Sequence, residues 1–259
     1  MVRFVNSFQS EWLKRRRSLA SWLVIVGALF MPAMTLLRLV NDREKLPDLY
    51  AQENFWTVIW GQNWQSMNLM LLPIGIILAV GLITQIESKN NAWKQLHTTP
   101  QSLTTIFFAK FGVILVMALQ VFLLFNLGMY VVGIIPAALF GDVPYPAGEI
   151  PFGHFLEKNL HYFVNILPIL SFQYLLSLQF KNFLVPLGAG FAIWLAGAIS
   201  LSWKYSYLFP YLHGGIDFIV GGGQLDLVLP INMQLLSLIY FAVFTTTGYL
   251  LYLFKTERG

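Results

Sequence analysis

The sequence has no cysteine in its 259 residues. That absence excludes disulfides, thiolate nucleophiles and cysteine-based metal sites. Charge is scarce too. Asp, Glu, Lys and Arg together make up 11% of the chain, less than half of the ~25% typical of a soluble domain. So few charged groups cannot clothe a globular surface, so most of the exterior must face lipid. No G-x-x-x-x-G-K-[ST] stretch occurs, so the chain carries no phosphate-cradling loop and does not hydrolyse ATP by itself. There is no H-E-x-x-H, and no carboxylates cluster within an apolar run. No cofactor and no nucleic-acid partner is expected.

What is present is apolar. Hydrophobic residues make up 57% and the mean hydropathy is +0.64. Six runs reach the ~20 residues needed to cross a bilayer as a helix. They cover about 19–40, 67–86, 105–135, 160–180, 183–202 and 231–254. None alternates with period two, so they read as helices rather than barrel strands. Pro32, Pro73, Pro168 and Pro186 fall inside these runs, where neighbouring helices can re-satisfy the freed backbone groups. The expected fold is an all-α integral membrane protein, one transmembrane domain over residues 1–259. The basic group Lys14, Arg15, Arg16 and Arg17 precedes a run longer than a signal-peptide core, with no small-x-small site after it. It reads as an anchor before the first span, either by generic charge or by a specific anionic lipid.

Lys and Arg set the orientation. With the N-terminus inside, Arg38, Arg43, Lys45, Lys158 and Lys204 lie outside, and the other 11 of the 16 basic residues lie inside. The positive-inside rule then places both termini in the cytoplasm.

The connections differ in character. Residues 41–66 form an outer loop in which Trp56, Trp60 and Trp64 recur every four positions, as on one face of an interfacial helix. Residues 136–159 form a second outer loop, rich in Pro and Gly. Residues 203–230 contain the short apolar stretches 207–211 and 216–220, separated by Gly214-Gly215. These read as two re-entrant or interfacial helices, which are tolerated only against protein or a water-filled cavity. At the N-terminus Phe4, Phe8 and Trp12 recur every four residues, as on a helix lying in the inner interface.

Several residues invite a functional reading. Gly188, Ala192, Ala196 and Ser200 form a small-residue ladder on the fifth run. It suits close helix approach, either between two subunits or within one chain. His97, His154, His161 and His213 read as interface histidines. Only His154 and His161 are near enough in sequence to suggest a shared ligand. Glu87 ends the second run beside Ser88 and Lys89, which favours a helix-end or partner contact over a proton carrier. Ser66, Ser171 and Ser200 have no base at nucleophile spacing.

The segment 87–100 (ESKNNAWKQLHTTP) is the most distinctive. Trp93 and Leu96 share one face of a short cytoplasmic helix. Thr99 and Pro100 can open the next helix, and Lys110 lies one to two turns into the third span. A Glu closing span two, a Trp-Lys in a short helix, a Thr-Pro stop and an Ala-Lys entering span three resemble the permease subunits of type-2 ABC exporters. Together with the opening residues 10–17 (SEWLKRRR), the pattern is closest to the branch that serves lantibiotic immunity and antimicrobial-peptide transport. The resemblance covers the whole chain as a plan, and residues 10–17 and 71–111 as a pattern.

That resemblance implies a bacterial cytoplasmic-membrane permease with six spans and a re-entrant element between spans five and six. It implies a pore of two permeases, either a second copy or a related chain, above two ABC ATPase subunits. Glu87, Asn90, Trp93, Lys94 and Leu96 would form the coupling helix that docks on the ATPase. Phe4, Phe8, Trp12 and residues 14–17 would anchor the chain at the inner interface. The cargo would be an amphipathic or lipophilic compound, such as a peptide antibiotic. Two other classes fit the composition. A secondary transporter or channel would want ionisable groups at mid-membrane, whereas Arg38, Glu87 and Lys110 lie near span ends. A lipid-modifying enzyme would want converging acids or histidines.

Overall fold

Helix formation follows from what a lipid-facing chain can satisfy: every backbone N–H and C=O must be paired within its own segment. The computed structural model describes residues 2–16, 18–89, 102–224 and 229–254, and helices are the only regular elements among them. They are α1 (Val2–Arg16), α2 (Leu19–Asn41), α3 (Leu46–Tyr50), α4 (Phe55–Ser66), α5 (Leu72–Lys89) and α6 (Leu103–Leu139). There follow α7 (Phe152–Gln179), α8 (Leu184–Ile199), α9 (His213–Gly221) and α10 (Met233–Leu253). Two starts are capped by side chains, as helix N-termini require. Ser102 accepts from the Thr105 amide at 3.2 Å, and Asn232 accepts from the Leu235 amide at 3.0 Å.

Five stretches are long and apolar enough to cross a membrane: Leu19–Asn41, Phe55–Gln85, Leu103–Leu139, Phe152–Gln179 and Met233–Leu253. The sixth, α8, has 16 residues. At 1.5 Å per residue it reaches about 24 Å, short of a ~30 Å hydrocarbon core. Helix α6, with 37 residues, runs about 55 Å by the same measure and projects beyond any bilayer.

The second span corrects the expected loop over 41–66. Residues 55–66 do not lie at an interface as a separate helix. They continue through a π-helical turn, Met67–Leu71, into α5. Trp56, Trp60 and Trp64 are buried, because their neighbours are rings rather than headgroups. Trp64 meets Phe122 and Phe125 of α6 and Tyr162 of α7 at centroid distances of 4.7–5.0 Å. Trp56 lies over Gly133 of α6, where a Cβ would stand 2.4 Å from the indole. Only glycine lets the ring approach so closely.

The cause of the π turn is legible. Pro73 has no amide hydrogen, so the α-helical bond from residue 73 to the Leu69 carbonyl cannot form. The turn widens, and Trp194 Nε1 of α8 donates to Leu69 O at 3.0 Å instead. One span is thus broken in its middle and stitched to a neighbouring helix at the break.

Around this span the bundle is arranged in pairs. Helix α7 packs along α10, α2 along α6, and α5 against α7, α2 and α8. The core is one continuous apolar cluster with a satellite around Leu212, Ile216 and Met233. Helix α1 lies across α6.

Candidate functional site

The site is built from the broken span outward. Two short 3-10 turns, Ser206–Leu208 and Pro210–Leu212, lead into α9. In place of the two helices expected over 207–211 and 216–220, one nine-residue helix forms and plugs the space between the π turn, α7 and α10. Gly214 and Gly215 permit this. A Cβ at Gly215 would be 2.6 Å from Leu69 Cδ2, and one at Gly214 would be 3.0 Å from Asn68 Oδ1. Asn68 is buried, and neither end of its amide has a hydrogen-bond partner.

A polar network fastens the plug. His213 Nε2 is 3.0 Å from the Tyr207 carbonyl, and its Nδ1 is 2.7 Å from Ser237 Oγ of α10. Ser237 Oγ is 3.1 Å from Asn165 Oδ1 of α7, and Asn165 Nδ2 donates to Asp217 Oδ2 at 3.1 Å. Gln234 Nε2 donates to both Asp217 oxygens at 3.2 Å. His213, Ser237 and Asn165 are each 0% exposed. Burial pulls the His213 imidazole down to about 4, partly opposed by its bond to the Tyr207 carbonyl. Below the plug, Tyr211 Oη donates to Gln173 Oε1 at 2.8 Å, and Gln173 Nε2 donates to Pro186 O of α8 at 2.9 Å. Burial raises the Tyr211 phenol above its usual range, so Tyr211 acts as a neutral donor.

Beside the plug, α4, α6 and α7 diverge to leave a lateral cleft of about 570 Å³. This lies within the ~300–1,000 Å³ of small-molecule sites. Its wall is aromatic. Trp60 and Phe155 stack at 4.2 Å and 10°, and Trp56 and Tyr130 at 5.9 Å and 18°. Its polar feature is an amide clasp. Trp60 Nε1 donates to Asn126 Oδ1 at 2.8 Å, and Asn126 Nδ2 donates to Asn159 Oδ1 at 2.7 Å. The rim, Leu123, Phe152 and Leu156, is at least 70% exposed. A smaller cavity of about 60 Å³, lined by Leu23, Gly27, Leu71, Gly75 and Met117 among others, lies between α2, α5 and α6.

The other candidates fall as follows. Phe8 and Trp12 of α1 are partly buried, Phe8 over Gly112 of α6, while Phe4 stays exposed. Lys14 pairs with the buried Glu11. Arg15 lies 4.1 Å from the Trp12 ring and donates to Gln120 Oε1 at 2.7 Å. Burial lowers its pKa from the ordinary value. Arg16 is exposed, and Arg17 lies outside the described residues. Glu87 is in the last turns of α5. Asn90, Trp93, Lys94 and Leu96 lie outside the described residues. Gly188, Ala192 and Ala196 are exposed and Ser200 partly so. The ladder therefore points away from the rest of the chain, and Gly190 and Gly197 make the close contacts within it.

His213 is not an interface histidine. It sits in the interior, and the sequence reading missed both its role and that of Asp217. The signal available was a lone Asp between Gly214-Gly215 and the Gly221–Gly223 run, a charge in an otherwise apolar segment. No group of three or more His, Cys, Asp or Glu residues placed to hold a metal occurs among the described residues.

Residues 7–197 match a family described as "ABC-2 family transporter protein". No curated protein and no solved structure matches the chain.

Proposed function

The chain belongs to the ABC-2 family of transporter proteins, and from that membership we propose that it exports an amphipathic or lipophilic compound with energy from a separate ATPase. Family membership makes it a membrane transport component rather than a catalytic ATPase, and it implies an ABC ATPase as partner. The observation that carries the proposal is the match over residues 7–197 in a chain without a phosphate-binding loop. The driving hydrolysis comes from an ATPase outside these 259 residues.

The finer reading has three parts. Six membrane passages, with α8 as a short sixth, keep both ends on the cytoplasmic side of a bacterial inner membrane, as the distribution of Lys and Arg favours. Residues 87–96 grip the ATPase through Trp93 and Leu96. A second permease copy, or a related chain, meets the outward ladder Gly188, Ala192, Ala196 and Ser200, which leaves a surface where two helix backbones can approach closely. The aromatic cleft supports the cargo class. A wall of stacked rings with few polar groups suits apolar bodies better than ions. Among such cargoes, peptide antibiotics fit the branch that the segment 87–100 resembles.

The test is purification from cells that co-express this chain with candidate ABC ATPases. A stoichiometric complex whose hydrolysis rises with a lipophilic peptide supports the proposal. A chain that purifies alone, and that conducts or exchanges ions in vesicles, replaces it with a channel or secondary transporter.

A further inference from the structure

The polar network of the plug has a proton count that does not close by itself. A backbone carbonyl only accepts, so the 3.0 Å contact between His213 Nε2 and Tyr207 O fixes a hydrogen on Nε2. If His213 is neutral, Nδ1 is then a lone pair, and Ser237 must point its one hydrogen there across 2.7 Å. Nothing is left for the 3.1 Å contact between Ser237 Oγ and Asn165 Oδ1. Turning the Asn165 amide over repairs that contact and breaks the next, because Asn165 would then face an ionised Asp217 oxygen to oxygen. A neutral His213 beside an ionised Asp217 therefore leaves one buried contact without a hydrogen.

One added proton closes every contact, in either of two ways. With the proton on His213, donation runs His213 Nδ1 to Ser237, Ser237 to Asn165, and Asn165 to the Asp217 carboxylate. With the proton on Asp217 and the Asn165 amide turned, donation runs the other way and ends on His213 Nδ1. Gln234, donating to both carboxylate oxygens, favours the first form.

We propose that His213, Ser237, Asn165 and Asp217 form a binding site for a single proton, which latches the plug helix α9 to α7 and α10. Charge and hydrogen bonding act in the same direction. Without the proton, the site carries a net negative charge on the partly buried Asp217, whose hydrogen-bond donors are neutral amides. With it, the site is neutral overall. Burial by itself pulls His213 down, and the relay's hydrogen bonds, complete only with the added proton, pull the other way. Four phenols face the site: Tyr207 and Tyr211 near His213 in the chain, Tyr240 of α10, whose ring is 5.5 Å from the His213 ring, and Tyr162 of α7, which lies close enough to Asp217 to feel its charge; on α7, His161 and Lys158 stand about one and two turns before Asn165 on the same side of the helix. Phenols are neutral below about pH 10. Helix α4 and the π turn offer Gln65, Trp64 and Asn68, and α8 offers Trp194, none of which titrates. Lys204 caps the Tyr205 ring at 4.7 Å and makes no contact with the relay.

The sign follows from linkage. The folded site holds its proton above the ~6.5 at which an unfolded imidazole loses it. Its contribution is fully present below that value and is lost as pH rises through the folded value. D217N is a sharp control. A new amide there donates to the turned Asn165, and the relay closes with no added proton. The inference is independent of cargo and ATPase.

The experiment is thermal unfolding of the full chain in lipid nanodiscs between about pH 6 and 9, wild type against D217N. The expected result is a wild-type midpoint that falls by several degrees across this window while that of D217N stays level. Parallel profiles overturn the proposal. Should D217N fail to fold, the wild type decides alone. Imidazole nitrogen shifts together with the infrared carboxyl band must count one proton on the pair at pH 7. A neutral imidazole beside an ionised carboxylate overturns the site.

Discussion

Trp194 Nε1 donates to the carbonyl of Leu69 at 3.0 Å, across the gap that Pro73 opens in the second span. The indole of one short helix thereby replaces the backbone hydrogen that proline lacks. In lipid such a replacement matters, because no water can reach the orphaned oxygen. The plug helix rests on the same turn, through Leu69 and Gly215. Proline, π turn, indole and plug are therefore one construction.

The first prediction addresses that construction. Trp194→Phe keeps the ring bulk and removes the donor, leaving a buried carbonyl unpaired at a cost of about 1–3 kcal/mol. Pro73→Ala restores an amide able to bond Leu69, so the double variant recovers most of the loss. Unfolding midpoints of the four proteins in detergent check this. Additive losses would show that the two residues act separately.

A second prediction concerns the ladder. Ala196 is exposed in the single chain, so Ala196→Leu leaves the fold and its thermal midpoint within about 0.5 kcal/mol of the parent. It abolishes self-association or pairing with a related permease, because the added side chain holds the backbones apart. Cross-linking in native membranes reads the outcome. Unchanged assembly would show that this face meets lipid.

A third prediction concerns topology. The absence of cysteine makes single-cysteine labelling clean. Probes at Asp48 and Glu149 should react from outside the cell, and probes at Asn91 and Glu257 should not. External labelling of Asn91 would overturn the proposed orientation.

How much of this was legible in the sequence depends on the range of the force responsible. Apolar run length is local, and it placed the long helices. It misjudged the second span because Trp56, Trp60 and Trp64 suit an interface and an aromatic core equally well. Only the rings across from them, Phe122, Phe125 and Tyr162, decide between the two. The break at Pro73 was readable, but its partner Trp194, more than a hundred residues away, was not. The ladder's spacing was plain and its outward direction was not, since a four-residue period does not say which side of a helix faces its neighbours. The polar relay draws on the fourth span, the plug and the last helix. Asn165 and Ser237 look unremarkable in their own segments, Asp217 stands out only as a lone charge, and only folding brings the three together.

The central claim is that this permease is driven by a partner ATPase gripped through residues 87–96. The direct test is Trp93→Ala, with ATPase co-purification and cargo-stimulated hydrolysis both measured in lipid vesicles. An indole that anchors an interface costs about 2 kcal/mol or more on truncation, so ATPase affinity should fall roughly thirtyfold while the permease remains folded and inserted. Stimulation of hydrolysis by cargo should be lost with it. A Trp93→Ala protein that keeps full ATPase binding and full coupling would contradict the account.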